Sequence, residues 1–505
     1  MNRRTFLKSM GVSAVGLLGA RWASGADRTA NRPNVLFICV DDLRPQLACY
    51  GNPIMHTPNL DRLAREGVVF DDHFVQVPTC GASRHCLLTG TYPSRPRHLS
   101  NGAFESLPRE DIGRAFSMPQ HFRQNGYTTV SIGKVSHNPS GRRYGKPTGK
   151  LDDDGNMTYA YSGDHEPELA LAWDRVGVPT GEWGNPWDAF FGYAGGGTRS
   201  YTKDKSPAVE AADVPDTGYP DGLIAEEALT ELNRFKDEPF FLAVGFYKPH
   251  LPFNAPKKYW DLYNREDIPL APHPAPPENI DTSISLHRNG ELTGRYEALK
   301  DPADATPEEA RRLRHGYFAC VSYVDAQIGK LLDELDRLDL RKNTIVVVWG
   351  DHGWHLGDLH VWGKHTAFEW SLRSALLVSA PGAAVNAHSQ GLVESVDLYP
   401  TLADLCALPE PPKYDGASFA QLLRKPDSKG KDAACGFWRR GGHLARTMRT
   451  PGYRITRWAR NNQTTQVELY DHRTDPGETV NIAEQHPELC GNLLKRLESR
   501  VPNVS

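Results

Sequence analysis

The stretch VLFICVDD, Val35 to Asp42, sets six apolar residues in a row directly against two aspartates. An unbroken apolar run, rather than an alternating one, is how a strand buried on both faces of a mainly parallel sheet reads. The same pattern recurs three times. Tyr127 to Gly133 (YTTVSIG) runs into Lys134 and His137, and Phe240 to Tyr247 (FFLAVGFY) runs into Lys248-Pro249-His250. Thr344 to Gly350 (TIVVVWG) runs into Asp351-His352. Ser374 to Ala380 reads as a further strand.

Helical patterns lie between these runs. Pro58 to Glu66 follows Thr57 and stops at Gly67, and Met118 to Gln124 leads through Asn125-Gly126 into the second strand. Thr306 before Pro307-Glu308-Glu309 is a helix start, and Tyr317, Val321, Val324, Ile328, Leu331 and Leu335 then recur at helical spacing. Asp397 to Leu408 is another helix. Strands alternating with helices predict an α/β fold with helices on both faces of the sheet.

Further along, Pro409 to Pro412 (PEPP) reads as a boundary, with Tyr414 to Leu423 still able to pack on the first domain. Beyond Cys435 the pattern is β-rich. Tyr453 to Trp458 and Thr465 to Tyr470 flank Asn461-Asn462 like a hairpin, and a helix over about Pro487 to Arg500 closes the chain. Two long segments rich in Pro and Gly, Ser140 to Asp221 and Leu251 to Asn279, are candidate walls of a functional site.

The whole chain has 505 residues, a length that alone suggests about three domains. The net charge is −4, which argues against a nucleic-acid binder held by a general basic surface. Eight cysteines are too few for a disulfide-stapled scaffold. Residues 1–26 combine Arg3, Arg4 and Lys8 with an apolar stretch from Met10 to Ala20 and a small-residue end, Ser24-Gly25-Ala26. That reads as an export signal peptide of twin-arginine type, with a Sec signal or an uncleaved anchor as alternatives. No later apolar run reaches membrane-spanning length, so the expectation is a periplasmic or secreted protein without stable membrane insertion.

Each of the four polar groups sits just past the carboxyl end of an expected central strand, where open α/β sheets form their ligand crevice. Segments far apart in sequence therefore converge. Asp41, Asp42 and Asp351, with His352 as a further donor, suit a hard cation such as calcium or magnesium. A lone Asp-Asp is more often a turn or helix cap; a second acidic strand end in the same sheet weighs against that reading. Lys134, His250, His352 and His365 each have plain alternatives as well, as solvated ends, turn residues or outer supports. Trp354, His355 and Trp362 either shape a sugar subsite or pack.

Cys80-Gly81-Ala82-Ser83-Arg84, followed by Leu87-Leu88-Thr89-Gly90, opens a helix after Pro78. Cys80 there meets backbone N–H donors and the positive end of the helix dipole, with Arg84 one turn on. It reads either as a buried structural cysteine or as a thiolate of depressed pKa. No pair with Cys86 has zinc-finger spacing.

CGASR with the downstream Leu-Thr-Gly resembles the signature of the type I sulfatases, in which the cysteine is oxidised to formylglycine. The resemblance runs from Asn34 to about Ala483. It includes VLFICVDDLRP, Gly133-Lys134-Val135-Ser136-His137, and Leu469-Tyr470-Asp471 with Asp475-Pro476 and Asn481. Tyr247-Lys248-Pro249-His250-Leu251-Pro252-Phe253 and Asp351-His352-Gly353-Trp354 through Trp362-Gly363-Lys364-His365 look closest to the iduronate-2-sulfatase branch. Ala82 stands where the signature more often has Pro, and His352 where many members have Asn.

The resemblance implies an alkaline-phosphatase-like fold. Its large mixed, mainly parallel sheet is sandwiched by helices over residues 30–425, and a smaller C-terminal α+β subdomain on an antiparallel sheet covers 426–505. It implies one calcium ion, in preference to magnesium, held by Asp41, Asp42, Asp351 and His352 with the modified Cys80 as fifth partner. Arg84, Lys134, His137, His250 and Lys364 would surround the sulfate.

The implied reaction is hydrolysis of a sulfate monoester, in particular the 2-O-sulfate of a uronic acid in a sulfated polysaccharide or oligosaccharide. Attack by a hydroxyl of hydrated formylglycine would be followed by proton donation from His250 or Lys364, and His137 would accept a proton in the release of sulfate. A sulfated sugar, a formylglycine-generating enzyme and an export machinery are the implied partners. The competing readings are a phosphate or phosphonate ester hydrolase of the same superfold and an inactive carbohydrate-binding homologue.

Overall fold

The computed structural model describes residues 32–106, 117–142, 147–151, 157–159, 167–200, 202, 204–235, 238–287, 290–299, 301–501 and 504. The export segment, residues 1–26, lies outside the described residues, as do parts of the long segment from Ser140 to Asp221. Pro33–Ser505 forms one compact unit. Among the described residues no helix is long and apolar enough to cross a membrane.

The core is an eight-stranded sheet. Its strands are β1 (Asn34–Val40), β2 (Val68–Phe70), β3 (Thr128–Gly133), β4 (Arg175–Gly177), β5 (Phe240–Phe246), β6 (Thr344–Gly350), β7 (Leu376–Ser379) and β8 (Ala387–Ser389). They lie in the order β8-β2-β7-β6-β1-β5-β3-β4. The block β6-β1-β5-β3-β4 is parallel throughout, and β7 runs antiparallel between β6 and β2. All seven residues of β1, β5 and β6 are buried, as continuous apolar runs require.

Side-chain alternation divides these strands between two cores. Leu36, Ile38, Val40, Leu242 and Val244 face one cluster with helices α4 (Pro220–Arg234) and α5 (Pro307–Arg337). Val35, Phe37, Phe241 and Trp349 face the other, with α3 (Met118–Gln124) and α6 (Leu398–Leu405). Helix α5 begins at a capping box. The Thr306 hydroxyl accepts from the Glu309 N–H, and the Glu309 carboxylate accepts from the Thr306 N–H. Further helices include α1 (Pro58–Arg65), α2 (Cys80–Thr89) and α7 (Pro487–Arg500).

The C-terminal sheet is a four-stranded antiparallel meander, β9 (Ala434–Arg440), β10 (His443–Arg449), β11 (Tyr453–Arg460) and β12 (Gln463–Asp471). Asn461 and Asn462 both adopt positive φ in the two-residue turn between β11 and β12, as the expected hairpin requires. One face of this sheet packs on α7 and on the underside of α2, where Ala82 and Cys86 meet Phe437, Met448, Leu493 and Leu497.

Buried histidines couple this fold to pH. His73 lies between the Ser374 carbonyl (3.2 Å) and Ser395 Oγ (3.0 Å), and burial pushes it down to about 4. Burial pushes His85 down to about 3 and His355 to about 4. Such imidazoles stay neutral when folded but charge in the unfolded chain. Their contribution to stability is therefore intact above pH ~6.5 and is lost as pH falls from there through the folded values. For His73 the loss by pH 4 is about 3 kcal/mol. Thermal midpoints recorded from pH 7 to 4 should fall, and His73→Gln should flatten the fall; an unchanged slope would remove His73 from the account.

Candidate active site

The parallel strands end in register. Val40 lies opposite both Phe246 and Gly350, and Gly245 opposite Gly133. Asp41-Asp42, Asp351-His352, Lys134 and the Lys248–His250 turn therefore leave the sheet along one edge, with strands about 4.8 Å apart. Asp42 sits in the left-handed region (φ 61°), which is costly for a residue with a Cβ. That turn lets its N–H donate to Asp351 Oδ1 (2.9 Å) and its carbonyl accept from Tyr317 Oη on α5 (2.7 Å). The Asp221 carboxylate accepts from the N–H groups of Tyr247 (2.7 Å) and Lys248 (2.8 Å), fixing the turn that carries His250. Lys248 itself points away, donating to the Pro252 carbonyl at 2.7 Å.

Cys80 is the first residue of α2, all ten residues of which are buried. Asn101 Oδ1 accepts from the Gly81 N–H (3.0 Å) and from Thr79 Oγ1 (3.0 Å). Asn101 comes so near that a Cβ at position 81 would lie 2.5 Å from its backbone, so only glycine fits after the cysteine. Arg84 is fully buried and braces three strand ends. Its Nε donates to Asp351 Oδ2 (2.9 Å), and its Nη1 donates to the carbonyls of Lys134 and Val135. Its Nη2 makes no hydrogen bond and lies 3.7 Å from Asp41 Oδ2.

Around Cys80 Sγ stand Asp41 Oδ1 (3.4 Å), His352 Nε2 (3.3 Å) and Lys364 Nζ (3.1 Å). Asp41, Asp42, Cys80 and His250 present donor atoms within 4.8 Å of one another, and so do Asp41, Cys80, Asp351 and His352. These residues fit a hard divalent cation on two observations. Asp42 Oδ2 is buried without a hydrogen-bond partner. His352 Nδ1 bonds the Gly353 carbonyl (3.0 Å), which leaves Nε2 as a lone-pair donor aimed at the carboxylates. Lys134 Nζ bonds Asp41 Oδ2, and Lys364 Nζ lies 2.6 Å from Asp42 Oδ1.

Of the two readings of the unmodified Cys80, the electrostatics favour the buried thiol over the thiolate: a helix N-terminus would depress its pKa, but burial and then Asp41 push it up to about 12. As a plain thiol it is a poor nucleophile. Burial would also raise Asp41, yet Lys134 and Arg84 hold it well below the usual carboxylate range. Burial, followed by Lys134, keeps His137 well below its ordinary value and hence neutral. His250 is likewise neutral through burial, then Lys364; its Nδ1 bonds the Leu251 carbonyl (2.6 Å), and Nε2 lies 3.9 Å from Glu291 Oε2.

A cavity of about 370 Å³ opens onto these groups, lined by Cys80, Lys134, His137, His250 and Lys364. It also brings in residues that sequence reasoning did not single out: Asn101, Trp187, Phe190, Phe191, Arg199, Glu291, Arg295 and, apart from its mention as an outer support, His365. The Lys134 ammonium lies 4.1 Å from the Phe190 ring centroid, and the Arg199 guanidinium 3.5 Å from that of Phe191. The clustering of Trp187, Phe190 and Phe191 inside a long Gly- and Pro-rich segment was the signal for this wall; Glu291 and Arg295 carried none. Trp354 and Trp362 are core residues 3% exposed, and His355 bonds the Asp358 carbonyl and Thr366 Oγ1. These three therefore pack rather than line the cavity.

The sequence matches the Sulfatase family over residues 33–407 and the N-sulphoglucosamine sulphohydrolase C-terminal family over residues 350–503. It is 35% identical over 427 residues to iduronate 2-sulfatase of Mus musculus, covering 78% of this chain and 72% of that protein. A protein solved in complex with its substrate D-glucosamine-2-N,6-O-disulfate superposes with a TM-score of 0.67 at 21% identity, covering 93% of this chain and 99% of that one. Phosphonate monoester hydrolase of Agrobacterium radiobacter superposes with a TM-score of 0.72 at 20% identity, covering 93% and 95% of the two chains. At these identities both structural likenesses are of fold.

The donor set predicts a stabilising metal. Calcium added to chelator-treated protein should raise the thermal midpoint, by linkage worth about 2.7 kcal/mol at a hundredfold excess over Kd. Asp42→Asn should abolish most of the rise. Identical midpoints with and without calcium would count against a metal site here.

Proposed function

This chain belongs to the sulfatase family and is a sulfuric ester hydrolase, and on that premise we propose that it removes the 2-O-sulfate of a uronic acid in a sulfated oligosaccharide or polysaccharide. The observation that carries the reading is the meeting of Cys80 with three buried carboxylates, His352 and three buried cations, of which Cys80, Lys134 and Lys364 line one cavity. The similarity to an iduronate 2-sulfatase supports the choice of sugar. Arg199 and Arg295 in the cavity wall suit a substrate that carries a carboxylate beside its sulfate.

Cys80 oxidised to formylglycine and hydrated would supply a carbon bearing two hydroxyls as nucleophile, and a calcium ion held by Asp41, Asp42, Asp351 and His352 would supply positive charge beside it. The chain's own residues do the rest. Lys134, Lys364 and the Nη2 of Arg84 place positive charge where the sulfate oxygens gain negative charge. His250, oriented by its Nδ1 bond to Leu251, presents Nε2 to the leaving sugar oxygen; to donate there it must first take up a proton, which burial and Lys364 oppose and which Asp41 and Glu291, at 3.9 Å, favour. His137, neutral and with Nδ1 buried without a hydrogen-bond partner, is placed to accept a proton at that atom during sulfate release. Phe190, Phe191 and Trp187 exclude water around Lys134 and His137.

The N-terminal 26 residues are assigned to export, and the folded chain acts outside the cytoplasm.

The decisive test is a screen of defined sulfated disaccharides with sulfate release read by position. Release confined to the 2-O-sulfate of a uronate is expected; release only from other positions, or faster hydrolysis of phosphate monoesters, would overturn the assignment. Mass spectrometry should find Cys80 as the aldehyde, and an active preparation holding only the thiol would sink the mechanism. His250→Ala should lower turnover of sugar sulfates by about 10²–10⁴-fold. It should lose less on an aryl sulfate, whose leaving group needs no proton, whereas Lys364→Ala should impair both substrates alike.

A further inference from the structure

A second cavity, of about 530 Å³, lies on the α7-facing side of the C-terminal sheet, beside the helical turn Pro96–Leu99. Its lining includes Leu99, Arg439, Leu444, Arg446, Arg457 and Asn462. Arg446 on β10 and Arg457 on β11 are directly opposite each other in the ladder, an arrangement in which like charges repel. Their side chains are only 9% and 14% exposed. Both face the Glu498 carboxylate on α7, at 3.9 and 4.0 Å, and that carboxylate is 53% exposed and so screened by water. The Arg457 guanidinium is held in place by bonds to Thr464 Oγ1 (2.8 Å) and the Asn462 carbonyl (2.9 Å). Arg439 adds a third cation at the rim. Burial and then Arg457 lower the proton affinity of Arg446, so the repulsion is felt in the folded state.

The groove adjoins the catalytic cavity along two chain segments. Leu99 lines the groove and Asn101 lines the catalytic cavity. Arg439 lines the groove, while its neighbour Trp438 stacks on His365 of the catalytic cavity with ring centroids 5.0 Å apart. Leu99 and Asn101, and likewise Arg439 and Trp438, therefore bring the two within one or two residues of chain.

We propose that the Arg439–Arg446–Arg457 groove is a second anion site, which binds a sulfate or carboxylate further along the same sulfated glycan chain whose end enters the catalytic cavity. This rests on the glycan reading of the substrate given above. Guanidinium forks match such anions two bonds at a time, and an incoming anion relieves the repulsion between Arg446 and Arg457. The groove grips the polymer and takes no part in the chemistry.

The test uses the full chain with heparin as the polymeric probe and a 2-O-sulfated uronate disaccharide as the short substrate. Arg446→Gln/Arg457→Gln should weaken heparin retention in affinity electrophoresis about tenfold or more, while disaccharide turnover stays within about twofold. Glu498→Gln should strengthen retention, and it carries the test if the double variant does not fold. Heparin retention unchanged in these variants would overturn the proposal. So would equal losses on disaccharide and polymer, or retention by duplex DNA as strong as by heparin. If the wild type cleaves no uronate 2-O-sulfate yet holds heparin through these arginines, the substrate reading fails and the groove stands. If cleavage is intact but retention does not depend on the arginines, the groove fails and the substrate reading stands.

Discussion

Asp41, Asp42 and Asp351 are buried at the carboxyl edge of the sheet, and a carboxylate desolvated in that way costs several kcal/mol unless it is paired and hydrogen-bonded. Arg84, Lys134 and Lys364, equally buried, meet that demand through direct contacts. Three acidic and three basic side chains thus face one another, although burial raises the Asp42 carboxyl well above the usual carboxylate range despite Lys364 beside it. The balance depends on geometry as well as on count. Only because β1, β5 and β6 end level do the partners reach one another, and only the left-handed turn at Asp42 brings its N–H to Asp351.

The helix that carries Cys80 has two supports. Its upper residues Leu87 and Leu88 enter the core beneath the parallel sheet, while Ala82 and Cys86 bed on the C-terminal meander. That meander is anchored by buried charge of its own. Glu369 pairs with Arg449 and Arg454, and Arg454 also pairs with Glu478. The Phe437 N–H donates to the Gln76 carbonyl just ahead of Pro78 and Cys80. The C-terminal strands thus hold the catalytic helix from below, and a change in their core would reach Cys80 through α2.

Net charge says little about the ligand. A chain of net charge −4 would not be expected to hold a polyanion, yet its cations are gathered where an anion would enter. Lys134, Lys364, Arg199 and Arg295 line the catalytic cavity, and Arg439, Arg446 and Arg457 line the groove. At physiological salt, charges more than about 8 Å apart on the surface are largely screened. Local arrangement therefore decides recognition.

The four apolar runs, the α5 cap, the Asn461-Asn462 hairpin and the Cys80 helix were legible in the sequence because each rests on a local rule: burial pattern, capping chemistry or turn conformation. The convergence of Asp41, Lys134, His250 and Asp351 was legible too, because parallel strands place their carboxyl ends on one edge. The three-residue strands β2, β4 and β8 were not, since runs so short exist only through pairing with neighbours. Helix α4 was masked by the long Gly- and Pro-rich segment beside it. Asn101, Arg199, Glu291 and Arg295 enter the cavity through loops and short helices whose paths are set by packing. The protonation state of Cys80 belongs to the tertiary structure as well. Its helix position argues for a thiolate, but enclosure beside Asp41 reverses the sign. The sequence alone determined the long buried strands and the chemical groups that follow them. Which of those groups touch, and in what state of charge, depended on distance and burial, which arise only when segments hundreds of residues apart are packed together.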